Sequence, residues 1–270
     1  MLDQFFTRPE VAVECVRRVQ AFMPTPALVV EPSAGTGAFL TPLRGAFGQV
    51  LAYDLEPQAD GIEQSDFLTV AVPKGATFVG NPPFGKRAKL SVAFFNHCAT
   101  QGAAVIAFIV PVQWRKWSVH RQLAPGYALF RDYDLPERAF VNVKGVRCCF
   151  QIWVSTELYS GSDLRIRQAP AISHPDFTLV IYNCYPHKRH YFTTYDWDVA
   201  IPRQGHADYT RREIIPARCE FTTHWILIKA STPAVLERLM AIDYAALSRK
   251  STKQPGYGKA DLIQAYEALT

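Results

Sequence analysis

The sequence of 270 residues predicts an α/β fold followed by a smaller α+β region. In its first half, short apolar runs alternate with helical patterns, which is typical of a parallel sheet covered by helices. These runs predict strands at 27–30, 49–53, 76–79 and 105–110, and the patterns between them predict helices at 10–22, 39–47 and 89–100. After about residue 125 the alternation ends, and the sequence predicts strands at 149–154, 164–167, 177–182 and 224–229 and helices at 233–247 and 259–269.

A turn-rich segment at 159–163 marks the predicted boundary between the two parts of the chain. We therefore expect a first domain at 1–158 and a second region at 159–270.

The composition is that of an ordinary globular protein, with 49% hydrophobic and 20% charged residues. The longest apolar run, 102–113, is shorter than the roughly 20 residues that a membrane helix needs. Residues 1–4 lack the basic start of a secretion signal, and the six cysteines form no CxxC pair. We expect a cytoplasmic protein with reduced thiols and no metal site, rather than a secreted, disulfide-linked or membrane protein.

Positive charge is concentrated in the middle of the chain. Residues 86–150 contain 10 basic and 3 acidic side chains, whereas the whole chain carries a net charge of only +5. A basic stretch of this kind suits a polyanionic partner such as nucleic acid, although a merely solvated surface gives the same pattern.

A glycine turn follows the first predicted strand, which ends in Glu31. The sequence Gly35-Thr36-Gly37 then leads into a helix, a geometry that brings backbone N–H groups close to a ligand. No Gly-Lys-Ser/Thr follows, so the turn is not a P-loop.

Two further acids lie near the ends of the next predicted elements. Asp54 ends the second strand, where a carboxylate can accept both hydroxyls of a ribose. Asp66 and Phe67 follow the next polar loop, where an acid and a ring could hold an adenine. A turn-forming Asp54 and a helix-capping Asp66 are the alternatives. Together with the glycine turn, these residues indicate an adenosine-containing cofactor at the ends of the strands.

The tetrapeptide Asn81-Pro82-Pro83-Phe84 follows the predicted strand at 76–79. Its prolines remove backbone donors and leave carbonyls free to accept hydrogen bonds. The Asn81 amide oxygen is a second acceptor, and the Phe84 ring is a flat stacking surface. This set suits a planar substrate that carries an amino group, and a simple proline turn is the alternative.

These features together resemble the S-adenosylmethionine-dependent methyltransferases that modify the N6 amine of adenine in nucleic acid. The matching segments are 6–11, 31–39, 53–54, 66–67 and 81–84. The resemblance covers about residues 3–155.

The resemblance implies a Rossmann-like methyltransferase fold with a mixed sheet, a catalytic domain at 1–158 and target recognition at 159–270. The implied reaction is direct methyl transfer to a flipped adenine of DNA. The same chemistry on RNA adenine, or a non-catalytic nucleic-acid-binding module, remains an alternative.

The resemblance also implies roles for individual residues. Asn81 and the Pro82 carbonyl would bind the target amine, and Phe84 would stack on the base, with Pro83 completing the catalytic tetrapeptide. The expected S-adenosylmethionine-binding residues are Thr7, Glu31, Ser33, Gly35, Gly37, Asp54, Asp66 and Phe67. The sequence departs from the family pattern at Arg8, where related sequences often have a second proline.

The basic stretch supplies the expected nucleic-acid contacts, which are Lys86, Arg87, Lys89, Trp114, Arg115 and Lys116. Tryptophan interleaved with cations suits base stacking combined with phosphate contact. The alternative is that the tryptophan lies in the core and the cations are only solvated. Segments 188–191 and 249–253 add basic residues in the second region.

Overall fold

The structure is a computed structural model that describes residues 5–141, 143–185, 187, 189–252 and 254–269. It divides the chain into two compact units, Met1–Gln168 and Ala169–Thr270. Among the described residues, no helix is long and apolar enough to cross a bilayer.

The first unit alternates helices and strands along most of its length. Its helices are α1 (Pro9–Phe22), α2 (Leu40–Ala46), α3 (Lys89–Thr100) and α4 (Trp117–His120). Its strands are β1 (Val29–Glu31), β2 (Val50–Asp54), β3 (Glu63–Gln64), β4 (Thr77–Gly80), β5 (Val105–Pro111), β6 (Tyr127–Asp134) and β7 (Cys148–Ser155).

These strands form a seven-stranded sheet in the order β3-β2-β1-β4-β5-β7-β6. The five strands from β3 to β5 are parallel, and β7 pairs antiparallel with both β5 and β6. The predicted α/β fold with a mixed, Rossmann-like sheet is confirmed. The chain runs outward from β1 to β3 on one side and from β4 to β5 on the other. Such a switch point leaves a crevice at the carboxyl ends of the central strands.

Apolar side chains bury both faces of this sheet. Every residue of β5 is buried, and its alternate residues enter different core clusters. Ile106, Phe108 and Val110 belong to one cluster, whereas Val105 and Ile109 belong to the other. This two-sided burial explains why β5 is a continuous apolar run in the sequence.

The second unit is a small α+β structure, as predicted. Its strands β8 (Phe177–Asn183), β9 (Val199–Gln204) and β10 (His224–Ala230) form an antiparallel sheet in the order β8-β10-β9. Its helices are α5 (Tyr191–Thr194), α6 (Pro233–Met240), α7 (Tyr244–Ser248) and α8 (Lys259–Glu267). Both faces of this sheet carry apolar side chains, because alternate residues of β10 enter two different clusters.

Two expected elements differ from the structure, and so does the limit of the first compact unit. Segment 164–167 is not a strand, because the Arg165 guanidinium instead donates to the His120 and Leu123 carbonyls at 2.8 and 2.7 Å. Residues 159–168 therefore belong to the first compact unit. The helix predicted at 233–247 is two helices, and the Asp243 carboxylate caps the second by accepting the Ala246 N–H at 2.9 Å. Strands β3, β6 and β9 were not expected from the sequence.

Candidate active site

A cavity of about 560 Å³ lies at the carboxyl ends of β1, β2, β3 and β4. Its lining residues come from 5–7, 31–39, 54–58, 65–67, 81–83 and Phe94. The cavity therefore brings together ten of the residues singled out in the sequence, namely Thr7, Glu31, Ser33, Gly35, Asp54, Asp66, Phe67, Asn81, Pro82 and Pro83. Gly37 and Phe84 are not among the lining residues.

The glycine turn after β1 is held in place by backbone hydrogen bonds. Ala34 N–H donates to the Tyr53 carbonyl at 2.9 Å, and Gly37 N–H donates to the Ala34 carbonyl at 2.8 Å. Gly37 has a φ of +77°, and a Cβ there would lie 3.2 Å from the Ala59 Cβ. Glycine is thus needed at this position for both its backbone conformation and its small size.

Asp54 fixes the turn from the end of β2. Its Oδ2 accepts the Gly35 N–H at 2.7 Å, and its Oδ1 accepts the Glu56 N–H at 2.8 Å. Each carboxylate oxygen has a second lone pair, so both can still accept a hydrogen bond from a ligand. Asp54 therefore shapes the glycine turn as well as lining the cavity.

Asp66 and Phe67 form another part of the cavity wall. The Asp66 Oδ1 accepts the Leu68 N–H at 3.0 Å and caps the short 3₁₀ helix Phe67–Thr69, so the capping role is present. Phe67 is 2% exposed and its ring centroid lies 5.5 Å from that of Phe94. The Phe67 ring packs against Phe94 and provides an apolar surface, and Asp66 is the residue that precedes it in the sequence.

Glu31 is a buried carboxyl group that faces the cavity with one oxygen unpaired. The residue is 1% exposed, and its Oε2 has no hydrogen-bond partner among the described residues. Burial raises the pKa of Glu31 well above its ordinary value, the negative charge of Asp54 raises it further, and Arg44 opposes the shift. An unpaired buried acceptor is costly. The arrangement thus favours a ligand that brings a cation or a hydrogen-bond donor to this end of the cavity.

Asn81 is held from two sides. Its Nδ2 donates to the Phe5 carbonyl at 2.7 Å, and its main-chain carbonyl accepts the Ser33 hydroxyl at 3.0 Å. Its Oδ1 is buried and has no hydrogen-bond partner within the described part of the chain. The amide is therefore oriented by its NH2 group, which leaves one fixed acceptor for a donor in the cavity.

Phe84, which is predicted to stack on the target base, is buried and is not among the cavity-lining residues. The residue is 4% exposed, and its ring centroid lies 5.1 Å from that of Phe5 and 6.3 Å from that of Phe140. It belongs to a core cluster rather than to the cavity wall.

Thr7 lies on an extended N-terminal segment. It is buried and forms an antiparallel bridge with Phe140. The neighbouring Phe6 reaches across the glycine turn, because its Cε1 would lie 3.6 Å from a Cβ built on Gly35. This segment therefore borders the same cavity as the glycine turn and Asn81.

Two of the predicted nucleic-acid contacts are engaged within the fold. Trp114 is fully buried, and its Nε1 donates to the Ser91 Oγ at 3.1 Å. The prediction that its ring stacks on bases does not fit this structure, because the ring lies in the core. Arg115 forms ion pairs of 2.7 Å with both Asp132 and Asp134.

The other predicted cations lie closer to the surface. Lys86, Arg87 and Lys89 are exposed on the segment that follows the Asn81 tetrapeptide, and Lys116 is half-buried. Arg87 has a φ of +56°, a left-handed conformation that costs energy for a non-glycine residue. Lys188 and Lys253 lie outside the described residues. The described residues contain no group of three or more candidate metal ligands.

Phe5 and Phe94 also line the cavity, although nothing in the sequence marks them as cavity residues. Phe94 was part of the apolar pattern of α3, which identified the helix but not its neighbours. Phe5 contributes its main-chain carbonyl to the cavity. Every residue has such a carbonyl, so the residue type gives no sign of this contact.

No family model matches the sequence, and a search of curated proteins finds no match. Among solved structures, the chain is similar to one described as a modification subunit of a type I restriction enzyme from Vibrio vulnificus, with 14% identity and a TM-score of 0.46. This match covers 57% of the present chain and 45% of the other, so the chain spans less than half of that protein.

A type I restriction-modification methyltransferase subunit from Streptococcus thermophilus has 14% identity and a TM-score of 0.43, with 60% of this chain and 49% of that one covered. A magnesium protoporphyrin IX methyltransferase from Synechocystis, solved with bound S-adenosylmethionine, has 12% identity and a TM-score of 0.41, with 54% and 80% covered. The fold class stated above rests on the sheet order of the chain itself.

Proposed function

We propose that this chain is an S-adenosylmethionine-dependent methyltransferase that modifies the N6 amine of adenine in DNA. The observation that carries the proposal is the buried, unpartnered Asn81 Oδ1, which lines the same cavity as the glycine turn and Glu31. An amine donor and a cationic, adenosine-containing cofactor together suit the acceptors of this cavity.

The cavity has the size and the chemistry that the cofactor needs. Small-molecule sites typically enclose about 300–1,000 Å³, and this cavity of about 560 Å³ lies within that range. In the proposed arrangement, Asp54 accepts the ribose hydroxyls and Asp66 accepts the adenine amino group, with Phe67 against the adenine ring. Glu31 faces the cationic end of the cofactor, near Thr7. When bound, the cofactor supplies an activated methyl group, so no metal ion is required.

Asn81 acts on the target amine. Its Oδ1 accepts one amine N–H, which draws the nitrogen lone pair out of conjugation with the ring. The nitrogen would then be a better nucleophile for the methyl carbon. As the N–C bond forms, the methyl–sulfur bond would break with S-adenosylhomocysteine as the leaving group, and the nitrogen would pass one proton to solvent. The Phe5 carbonyl and the Ser33 hydroxyl hold Asn81 in position for this contact.

The exposed cations after the tetrapeptide support a polyanionic substrate. Lys86, Arg87 and Lys89 are close in sequence to Asn81, and phosphate contacts from Lys and Arg are the main source of affinity for nucleic acid. We assign target recognition to the C-terminal region, which the sequence analysis began at residue 159 and whose compact unit begins at Ala169.

The test is methyl transfer from labelled S-adenosylmethionine to double-stranded DNA, single-stranded DNA and total RNA in parallel, followed by nucleoside analysis. N6-methyladenine in DNA is the expected product. Label found only in RNA would overturn the choice of DNA. Cofactor binding without any transfer would instead favour a non-catalytic nucleic-acid-binding module.

A further inference from the structure

A thiol, an imidazole and an amide lie together at one end of the sheet in the second unit. Strand β8 ends at Asn183, which pairs with His224 at the start of β10. Paired residues of an antiparallel sheet have their side chains on the same face. The Cys184 Sγ lies 3.4 Å from the His224 Nε2, and the His224 Nδ1 lies 3.4 Å from the Asn183 Oδ1. The three side chains therefore form a continuous chain of polar contacts.

The backbone at Cys184 brings its thiol to this face of the sheet. In a regular strand, the residue that follows Asn183 would point to the opposite face. Cys184 has instead a φ of +52°, a left-handed conformation that costs energy for a non-glycine residue. The strained backbone is thus what places the Cys184 thiol beside His224.

Arg203 determines where the protons of this group lie. A guanidinium can only donate, and the Arg203 Nη1 lies 2.6 Å from the Asn183 Oδ1, so this atom is the amide oxygen. Because an oxygen faces the His224 Nδ1, that nitrogen carries the proton and Nε2 is an acceptor. Burial, followed by the positive charge of Arg203, holds the pKa of His224 below its ordinary value. The imidazole is therefore neutral at pH 7, and its Nε2 can accept the Cys184 thiol proton.

Cys184 differs from the other cysteines of the chain in its exposure. It is half-buried at the end of a strand. The other five cysteines are buried, namely Cys15, Cys98, Cys148, Cys149 and Cys219. Burial raises the pKa of each of those five thiols, which makes them unreactive because the thiolate is the nucleophile. The most accessible thiol of the chain is therefore the one that has a base beside it.

We propose that Cys184 is a reactive thiol that exchanges with small-molecule disulfides, with His224 as its base and Asn183 orienting the imidazole. A nucleophile, a base within hydrogen-bond reach and a third group that orients the base are the signature of an activated nucleophile. In the reaction, the Cys184 Sγ attacks one sulfur of the disulfide while the His224 Nε2 takes the thiol proton. A new S–S bond joins Cys184 to that sulfur, the old S–S bond breaks, and the leaving thiolate takes the proton from His224. One disulfide replaces another, so no further oxidant or reductant is consumed.

The test follows the reaction of the folded chain with dithiodipyridine, a small aromatic disulfide whose released thiol absorbs light. We expect one fast-reacting thiol per chain, which Cys184→Ser removes and Cys219→Ala leaves unchanged. At pH 7 this thiol should react faster than the cysteines of the same chain unfolded in denaturant, because those cysteines have no base beside them.

Loss of the base sets the expected magnitude. An unassisted thiol is only about 3% ionised at pH 7, so a base can raise its reactivity by up to roughly thirtyfold. We expect His224→Gln to slow the reaction of Cys184 by about ten- to thirtyfold, and Asn183→Ala to slow it by a smaller factor. His174→Gln is the matched control, because His174 lies in the same unit and stacks on Phe177 at a centroid distance of 4.8 Å. Thermal melting establishes that each variant is folded.

Two kinds of result would overturn the inference. One is a folded wild type without a fast-reacting thiol, or a fast reaction that persists in Cys184→Ser. The other is a Cys184 that reacts no faster than the unfolded chain, or equally fast in His224→Gln, because exposure alone would then account for the reaction. Neither S-adenosylmethionine nor nucleic acid enters the measurement, so its result does not depend on the proposed function.

Discussion

Replacement of Glu31 by Gln would show whether the cavity binds a cation. Glu31 is 1% exposed, its Oε2 is unpartnered, and burial raises its pKa well above the ordinary value. The carboxyl group therefore holds its proton at pH values where an exposed glutamate is ionised. A cation bound next to it favours the ionised form, so binding of the cofactor should release a proton.

The direction of the pH dependence follows from this shift. Below the raised pKa of Glu31, cofactor affinity should increase about tenfold for each pH unit, and above that pKa it should become constant. The free energy of unfolding changes in the opposite direction, because the folded-state pKa exceeds the unfolded value. This contribution to stability is complete below the unfolded pKa, and about 1.4 kcal/mol is lost per pH unit as the pH rises toward the folded pKa.

Glu31→Gln should remove the pH dependence of cofactor affinity and the pH dependence of the free energy of unfolding that come from this residue. At neutral pH the variant should bind the cofactor about 10- to 100-fold more weakly, which corresponds to the loss of one charged hydrogen bond. It should be at least as stable as the wild type, because the amide is uncharged without having to take up a proton on folding.

Titration calorimetry in two buffers of different ionisation enthalpy measures the protons released on binding. We expect the wild type to release protons on cofactor binding at pH values below the raised pKa of Glu31, Glu31→Gln to release close to none, and the exposed control Glu63→Gln to match the wild type. The reasoning would be refuted by a wild type that releases no proton and a Glu31→Gln variant that binds equally well.

Two further substitutions test the walls of the cavity. Asp54→Ala should weaken cofactor binding by about 1–3 kcal/mol. It should also loosen the glycine turn, because the Gly35 and Glu56 N–H groups lose their acceptor. An unchanged cofactor Kd would identify another acid as the ribose ligand. Ser33→Ala should lower kcat several-fold with little change in cofactor Kd, since the Ser33 hydroxyl binds the Asn81 carbonyl, and Ser33→Thr should restore activity. A raised cofactor Kd together with an unchanged kcat would instead make Ser33 a cofactor ligand, as the sequence suggested.

The parts of the site that lie at strand ends could be predicted because their signals are local. Glu31, Gly35 and Asp54 each follow or end a short apolar run, and a parallel sheet brings the ends of such runs to one edge. Asn81 could be predicted as a cavity residue for the same reason, because it follows the end of β4.

Other features depend on tertiary contacts that the sequence does not show. Trp114 lies among cations in the sequence but packs against Phe95 in the core, at a centroid distance of 5.8 Å. Phe84 is buried against Phe5, which is distant in sequence, at a centroid distance of 5.1 Å. Strands β6 and β9 escaped prediction because β6 contains charged residues and β9 contains Pro202, and both lie at sheet edges, where such residues are tolerated.

The role of Asn81 is tested by measuring cofactor binding and methyl transfer in the same preparation of Asn81→Ala. We expect a cofactor Kd close to that of the wild type and a turnover reduced about 100-fold or more, because the variant lacks the acceptor for the target amine. Turnover that persists in Asn81→Ala, or cofactor binding that is lost with it, would contradict the assignment of Asn81 to the amine.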